Sequence, residues 1–268
     1  MRTSIFELWK TNEISTDSCV EWWDSMAENF AEHEIPTSEN NLTMQIIEKE
    51  NMINPASQVL DIGCGAGRFS FAMEKLGADI YGIDISPKMI TYAKQYQEKE
   101  TKTNFFVDNW HNLVLESKGW PKKFDFVLAN MTPAITDAST FLKMSEASRN
   151  WCLMVKPSRR TNSVYDVLNS IVGAPEDKKS LDETVSYAFM LLWDEGYSPH
   201  IEYAKQTWHS KQPLDDAFHQ YCKRIETFKV LDDEKRKKIN EYLISIATDG
   251  CIEETTETQI VAMYWKVT

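Results

Sequence analysis

The chain has 268 residues, of which 42% are hydrophobic, and its formal net charge is −12. This hydrophobic share is enough for a sizeable core, which makes a disordered chain a poor hypothesis. An acidic surface repels phosphate backbones, so nucleic acid is an unfavourable first candidate for a partner. The sequence also contains no apolar run near the roughly 20 residues that cross a membrane.

The cysteines and the first residues bear on the cellular location. The five cysteines are scattered without a CxxC pair, which is typical of free thiols in a reducing compartment. The opening stretch MRTSIFELWK lacks the apolar segment of a secretory signal. We therefore expect a cytoplasmic protein.

Residues 15–53 are predicted to form a helical cap. Trp22, Trp23 and Phe30 recur at helical spacing on one apolar face. A second helix is predicted over residues 42–52. The three aromatic side chains could line a substrate pocket or cover a ligand, although core packing is the commoner role of such a stripe.

Strands and helices alternate over residues 56–160. The predicted strands cover 58–62, 79–83, 104–107, 124–129 and 151–155. The predicted helices between them cover 68–76, 87–100 and 138–150. This alternation favours an α/β fold with a parallel sheet covered on both faces.

Residues 161–268 continue the pattern more loosely, and we expect them to complete a single domain with the first 160 residues. Strands are predicted at 201–208 and 259–267, with helices at 213–228 and 234–247 between them. Two helices exceed what a minimal connection needs. The sequence therefore predicts a helical insertion before the last strand that covers a substrate site.

The stretch VLDIGCGAGRF joins the first of these strands to the helix after it. Gly63, Gly65 and Gly67 allow a tight turn and a close approach of a ligand to the backbone. Their spacing is G-x-G-x-G, whereas the dinucleotide fingerprint G-x-G-x-x-G needs a glycine where Arg68 stands. An NAD-dependent oxidoreductase is therefore disfavoured.

Carboxylates end the first three strands. Asp61 would repel a pyrophosphate but suits a ligand that carries an ammonium group. Asp84 ends the second strand, where an acid can accept hydrogen bonds from ribose hydroxyls. Asp108 ends the third strand and could accept from an exocyclic amine such as that of adenine. The carboxyl ends of parallel strands share one sheet edge, so the pattern predicts a nucleoside site there.

The segments VLDIGCGAGRF, YGIDIS, FFVDNW and FDFVLAN resemble the successive motifs of class I S-adenosylmethionine-dependent methyltransferases. The resemblance covers residues 56–160, which would form the cofactor-binding core, and it extends more loosely to the final strand. It implies a doubly wound, Rossmann-like sheet of seven mostly parallel strands with an antiparallel last hairpin. It also implies S-adenosylmethionine as cofactor and S-adenosylhomocysteine as product.

The resemblance assigns expected roles in the binding of the methionine part. Asp61 would lie near the amino group of the cofactor. The loop residues that would approach the methionine chain are Gly63, Cys64, Gly65 and Gly67.

The adenosine part and the methyl group have their own expected partners. Asp84 would accept from the ribose hydroxyls, with Ile85 against the adenine. Asp108 would meet the adenine amine, helped by the amide of Asn109. Asn130, which ends FDFVLAN, would lie near the sulfonium and the acceptor.

Catalytic and metal-binding residues are less clearly marked. Asn130 begins NMTPA, which is only weakly similar to the Asn/Asp-Pro-Pro-aromatic motif of enzymes that methylate amino groups, and a turn is the plainer interpretation. His111 could act as a general base, although a surface histidine is commoner. His219 and Cys222 share a helix face, but two ligands do not make a metal site, so no metal is expected.

The expected function is methyl transfer to a small-molecule acceptor. Two alternatives remain open at this point. One is methylation of a protein or an RNA, and the other is a non-catalytic module that binds the cofactor and supports a partner.

Overall fold

The computed structural model describes residues 5–10, 16–32, 34–98, 101–173 and 177–267. Residues 15 and 33 of the predicted cap therefore lie outside the described residues. The strands within this part are β1 (Gln58–Ile62), β2 (Asp79–Asp84), β3 (Asn104–Val107), β4 (Phe124–Asn130), β5 (Ser148–Asn162), β6 (His200–Pro213) and β7 (Cys251–Lys266). They form one sheet in the order β3-β2-β1-β4-β5-β7-β6.

Helices pack on both faces of this sheet, and others form a separate cluster beside its last strands. They are α1 (Ile5–Leu8), α2 (Thr16–Ala31), α3 (Leu42–Lys49), α4 (Arg68–Lys75), α5 (Pro87–Gln95), α6 (Leu115–Lys118), α7 (Ala138–Ala147), α8 (Tyr165–Val172), α9 (Asp177–Asp194), α10 (Leu214–Glu226) and α11 (Asp233–Ile246). No helix in the described part of the chain combines the length and the apolarity that a membrane crossing needs.

Strands β1 to β5 are parallel, and β7 runs antiparallel to both β5 and β6. The strand order reverses between β1 and β4, because β2 and β3 lie on one side of β1 and the later strands on the other. Doubly wound sheets bind ligands at such a point. The predicted fold class, including the antiparallel last hairpin, is confirmed.

The central strands are buried on both faces, which explains their nearly continuous apolar sequences. Leu60 of β1 faces a core that includes Phe141 of α7. Val59, its neighbour in the chain, faces the opposite core with Ile46 of α3 and Met73 of α4. Because side chains alternate along a strand, the two cores hold the sheet between two helical layers.

A third apolar cluster joins the two helices predicted as an insertion to α8, which precedes β6 and is not among the predicted helices. It joins α8, α10 and α11 through buried residues such as Leu168, Ile225 and Leu243, and Ile252 of β7 completes it. Strands β6 and β7 pair along their whole length, from His200 opposite Tyr264 to Pro213 opposite Cys251. We call these three helices the C-terminal cap.

The last strands are longer than predicted. The sequence predicts that β5 ends at Val155, which pairs with the last residue of β4, yet the strand continues to Asn162. The segment after Val155 has the composition of a turn, but pairing with β7 keeps it extended, through a register shift between Ser158 and Thr161. The proposed division at residue 160 falls within this strand, so both halves of the chain share it.

Candidate cofactor-binding and active site

The glycine loop connects β1 to α4 at the switch point of the sheet. Gly63, Gly65 and Gly67 all have positive φ angles, of 67°, 55° and 88°. The N–H groups of Gly63 and Cys64 donate to the carbonyl of Ile83 at 2.8 and 3.0 Å. These bonds fasten the loop to β2, so the loop and the end of β2 form one unit.

The three glycines differ in what surrounds them. A Cβ at Gly63 would lie 2.0 Å from Oγ1 of Thr132, and one at Gly67 would lie 2.8 Å from the ring of Phe105. At Gly65 the nearest neighbour would be the sulfur of Met89, at 3.8 Å. Protein atoms therefore fill the space beside Gly63 and Gly67, and Gly65 alone of the three leaves room for a ligand.

Cys64 does not present its side chain as a reactive thiol. The residue is 7% exposed and packs with Ile90, Ala93 and Phe105. Burial, with the charges of Asp61 and Asp84, raises the pKa of its thiol well above the usual value. All five cysteines of the chain are unpaired, as predicted.

Asp84 lies at the end of β2, directly beside Gly65, the loop glycine that leaves room for a ligand. Its Oδ2 accepts the N–H of Gly65 at 2.9 Å, and its Oδ1 accepts the N–H of Ser86 at 2.8 Å. Burial raises the pKa of Asp84, and the N–H groups of Ser86 and Gly65 oppose that rise. A carboxylate offers about four acceptor positions, so both oxygens can still accept from a ligand. Ile85, the next residue, is half-buried.

Asp61 lies beneath the loop and is 2% exposed. Its Oδ2 accepts the hydroxyl of Ser70 at 2.6 Å. Burial raises the pKa of Asp61 to about 7, the hydroxyl of Ser70 opposes the rise, and the charge of Asp84 adds to it. Two adjacent carboxylates make this site favourable for a cation and unfavourable for a pyrophosphate.

Asp108 follows β3 and is already engaged by the protein. Lys118 forms an ion pair with its Oδ2 at 2.8 Å, and the N–H of Asn109 donates to its Oδ1 at 2.9 Å. The N–H of Asn109 therefore has an acceptor within the chain. The ring of His111 is about half exposed, and its Nδ1 lies 3.8 Å from Oδ2 of Asp137.

Asn130 ends β4 at the same edge of the sheet. Its Oδ1 accepts the hydroxyl of Thr43, from α3, at 2.8 Å. The next residue, Met131, has a φ of 52° and donates its N–H to Val155. The turn predicted at NMTPA is therefore present, and it places Thr132 against the glycine loop.

Helix α2 covers the glycine loop. Ala27 packs with Ala66 of the loop and Met89 of α5, and the rings of Trp23 and Phe30 contact this cluster. Trp22 meets the edge of Trp23, with 6.4 Å between ring centroids. The predicted aromatic stripe is thus both a packing face and the cover of the loop. Helix α10 of the C-terminal cap contacts α2 as well.

Several residues in this region carried no signal that sequence reasoning could use. Asp24 of α2 accepts the hydroxyl of Ser86 at 2.5 Å and the N–H of Lys88 at 3.1 Å, which ties the covering helix to the start of α5. Thr43 and Thr132 are also placed only by tertiary packing. Among the described residues, no group of three His, Cys, Asp or Glu side chains is arranged to hold a metal ion.

Known proteins resemble this chain in sequence and in fold. A family model described as a methyltransferase domain matches residues 53–171. A ubiquinone biosynthesis O-methyltransferase from Hydrogenovibrio crunogenus is 34% identical over 85 residues, which are 31% of this chain and 33% of that protein. A ribosomal-protein methyltransferase from Staphylococcus carnosus is 30% identical over 137 residues, which are 50% of this chain and 41% of that protein. The chain thus spans less than half of the length of either relative.

A solved structure reproduces the fold along nearly the whole chain. Phosphoethanolamine N-methyltransferase 2 from Haemonchus contortus, solved with phosphomonomethylethanolamine and S-adenosylhomocysteine, aligns with a TM-score of 0.50 and 14% identity. The alignment covers 97% of this chain and 60% of that one. Residues 53–171 therefore match a methyltransferase domain, in agreement with the class I S-adenosylmethionine-dependent methyltransferases that the motifs of this chain resemble.

Proposed function

We propose that the protein transfers a methyl group from S-adenosylmethionine to a small-molecule acceptor in the cytoplasm. The observation that carries the proposal is the pairing of Asp84 with Gly65. A carboxylate suited to ribose hydroxyls is held by the N–H of the one loop glycine that leaves space for a ligand. A nucleoside can occupy that corner without a steric conflict with a side chain of the loop.

The charge at the loop supports a sulfonium nucleoside over a dinucleotide. Asp61 and Asp84 lie close enough for the charge of one to raise the pKa of the other. A ligand with an ammonium and a sulfonium group would relieve this repulsion, whereas a pyrophosphate would increase it.

The remaining residues receive roles consistent with this cofactor. Asp84 would hold the ribose and Asp61 the amino group, directly or through water. Ile85 would pack on the adenine, and Asp108 would accept from its amine while it keeps the ion pair with Lys118. Asn130 would lie by the methyl group, its orientation fixed by Thr43.

Methyl transfer from a sulfonium needs little general acid–base catalysis. The bound cofactor supplies an electrophilic methyl group on a positive sulfur. The protein aligns the acceptor and excludes water, and helix α2, which covers the loop and is backed by α10, would contribute to both. His111 remains a candidate base, although its half-exposed ring, turned towards Asp137, favours a surface role.

The choice of a small molecule as the methyl acceptor is supported by the net charge of the chain and by the helix that covers the loop. The net charge of −12 disfavours an RNA acceptor. Helix α2 covers the loop, and α10 of the C-terminal cap packs on α2, an arrangement that suits a small acceptor better than a protein surface.

Calorimetric titration with S-adenosylhomocysteine tests the cofactor. We expect binding by the wild type and a loss of about 10- to 100-fold in affinity for Asp84→Ala, because about two hydrogen bonds disappear, each with a net worth of roughly 0.5–1.5 kcal/mol. Asp79→Asn is the matched control, since it changes an acid at the other end of the same strand. Absence of binding by the wild type, or equal affinity of Asp84→Ala, would overturn the proposal.

Radiolabelled S-adenosylmethionine tests the acceptor. The protein is incubated separately with a metabolite extract, with total RNA and with denatured protein. Label on a small molecule supports the proposal. Label only on RNA or protein would overturn the acceptor class, and cofactor binding without any transfer would favour the non-catalytic module.

A further inference from the structure

Lys156 is a buried lysine at the edge of the sheet that carries the candidate site. It follows Val155, the residue of β5 that pairs with Asn130, and it is 7% exposed. Its Nζ donates to the carbonyl of Thr132 at 2.5 Å and to that of Ile135 at 3.1 Å. The ammonium group therefore spans the turn that follows β4.

The ammonium group is compensated only by carbonyl oxygens. Among the described residues no carboxylate forms an ion pair with Lys156. Asp137 caps α7, and Asp182 accepts from Ser158 and Arg159. Burial alone lowers the pKa of Lys156 to about 8. An unpaired buried charge costs stability, so its presence calls for a role other than stabilisation.

The turn that Lys156 holds is also the wall of the glycine loop. Thr132 is 6% exposed, and its Oγ1 fills the place where a Cβ at Gly63 would be. The same Oγ1 accepts the N–H of Ala134 at 3.1 Å. Lys156, Thr132 and Gly63 thus form a continuous chain of contacts from β5 to the cofactor loop.

We propose that Lys156 is a positioning residue that holds the turn at residues 131–135 against the glycine loop, which fixes the spacing between Gly63 and Asn130. The inference rests on the proposed function, because that spacing matters only if the cofactor lies between the two residues. Preorganisation of this kind increases affinity by removing the cost of ordering the site.

The test compares Lys156→Met with Lys122→Met. Lys122 also donates to a carbonyl, that of Ser145 at 2.8 Å, but it precedes β4 at the opposite edge of the sheet. For Lys156→Met we expect about tenfold weaker binding of S-adenosylhomocysteine, faster hydrogen exchange at residues 131–135, and an unchanged or higher melting temperature. Lys122→Met should keep wild-type affinity. A purely structural lysine would instead lower the melting temperature and the affinity together.

A second variant keeps the test decisive if Lys156→Met does not fold. Lys156→Ala leaves a space that matches n-propylamine, and this amine should restore the affinity for S-adenosylhomocysteine, whereas n-propanol should not. Unchanged affinity and unchanged exchange in Lys156→Met, or the absence of amine rescue in Lys156→Ala, would overturn the inference. If the wild type fails to bind S-adenosylhomocysteine, the proposed function fails, and hydrogen exchange still reports whether Lys156 holds the turn.

Discussion

Thr132 occupies the space that a side chain at residue 63 would need. The Oγ1 of this buried threonine lies 2.0 Å from the ideal Cβ position of Gly63. Gly63 is therefore required because a side chain there would collide with Thr132. Gly65 has no such neighbour, and a side chain there would instead occupy the open space that we propose for the ligand. A glycine-rich motif that looks uniform in sequence has two different physical causes.

Gly63→Ala should destabilise the protein by about 2–4 kcal/mol, because the new methyl group overlaps a buried side chain in a backbone conformation that L residues avoid. Urea unfolding measures this. Gly119→Ala is the matched control, since Gly119 has a similar φ of 64° and nothing within 4 Å of its Cβ position. It should cost only about 1 kcal/mol. Equal costs for both variants would mean that Thr132 moves aside freely.

Gly65→Val should abolish detectable binding of S-adenosylhomocysteine while the protein stays folded. A Cβ at this position meets only the sulfur of Met89, at 3.8 Å, and the two methyl groups beyond it would enter the space proposed for the cofactor. Gly119→Val controls for the strain of a branched side chain at positive φ. Calorimetry and thermal unfolding are measured on both. Retained affinity in Gly65→Val would show that the backbone does not approach the ligand there.

The affinity for S-adenosylhomocysteine should fall as pH drops from 8 to 6. Burial raises the pKa of Asp61 to about 7, so in this range the group gains a proton and loses the charge that would attract the ammonium group. Asp61→Asn should bind more weakly and show little pH dependence over this interval. Calorimetry at several pH values decides this, and a pH-independent wild type would contradict the role of Asp61.

Asp61→Asn should also raise the melting temperature of the unliganded protein at pH 8. The folded pKa of Asp61 lies above its unfolded value, near 4, so the folded state binds more protons between these values and stability falls as pH rises through them. Asparagine can accept the hydroxyl of Ser70 without carrying a buried charge. The gain should be a few degrees and should shrink at pH 5. A lower melting temperature at pH 8 would contradict the assignment.

Asp24→Ala should loosen helix α2 without changing the glycine loop. The substitution removes the acceptor for the hydroxyl of Ser86 and the N–H of Lys88. Hydrogen exchange in α2 should accelerate, and S-adenosylhomocysteine should dissociate several-fold faster. Glu28→Ala, on an exposed position of the same helix, should leave both rates unchanged. Equal dissociation rates in the two variants would show that α2 does not cover the ligand.

Sequence alone determined the features that depend on local chemistry. The alternation of apolar strands with helices and the glycine loop both follow from short-range rules of backbone conformation and periodicity. The acids at the strand ends could be placed at one edge because parallel strands bring their carboxyl ends together.

Tertiary structure decided what depends on contacts between distant segments. The extension of β5 past Val155 comes from pairing with β7, since its own residues have the composition of a turn. Asp24, Thr132 and Lys156 gain their roles from partners far away in the chain, and no local pattern marks them. Short-range rules fix the conformation of a segment, but only packing decides which groups meet, because each such contact depends on the placement of two separate elements.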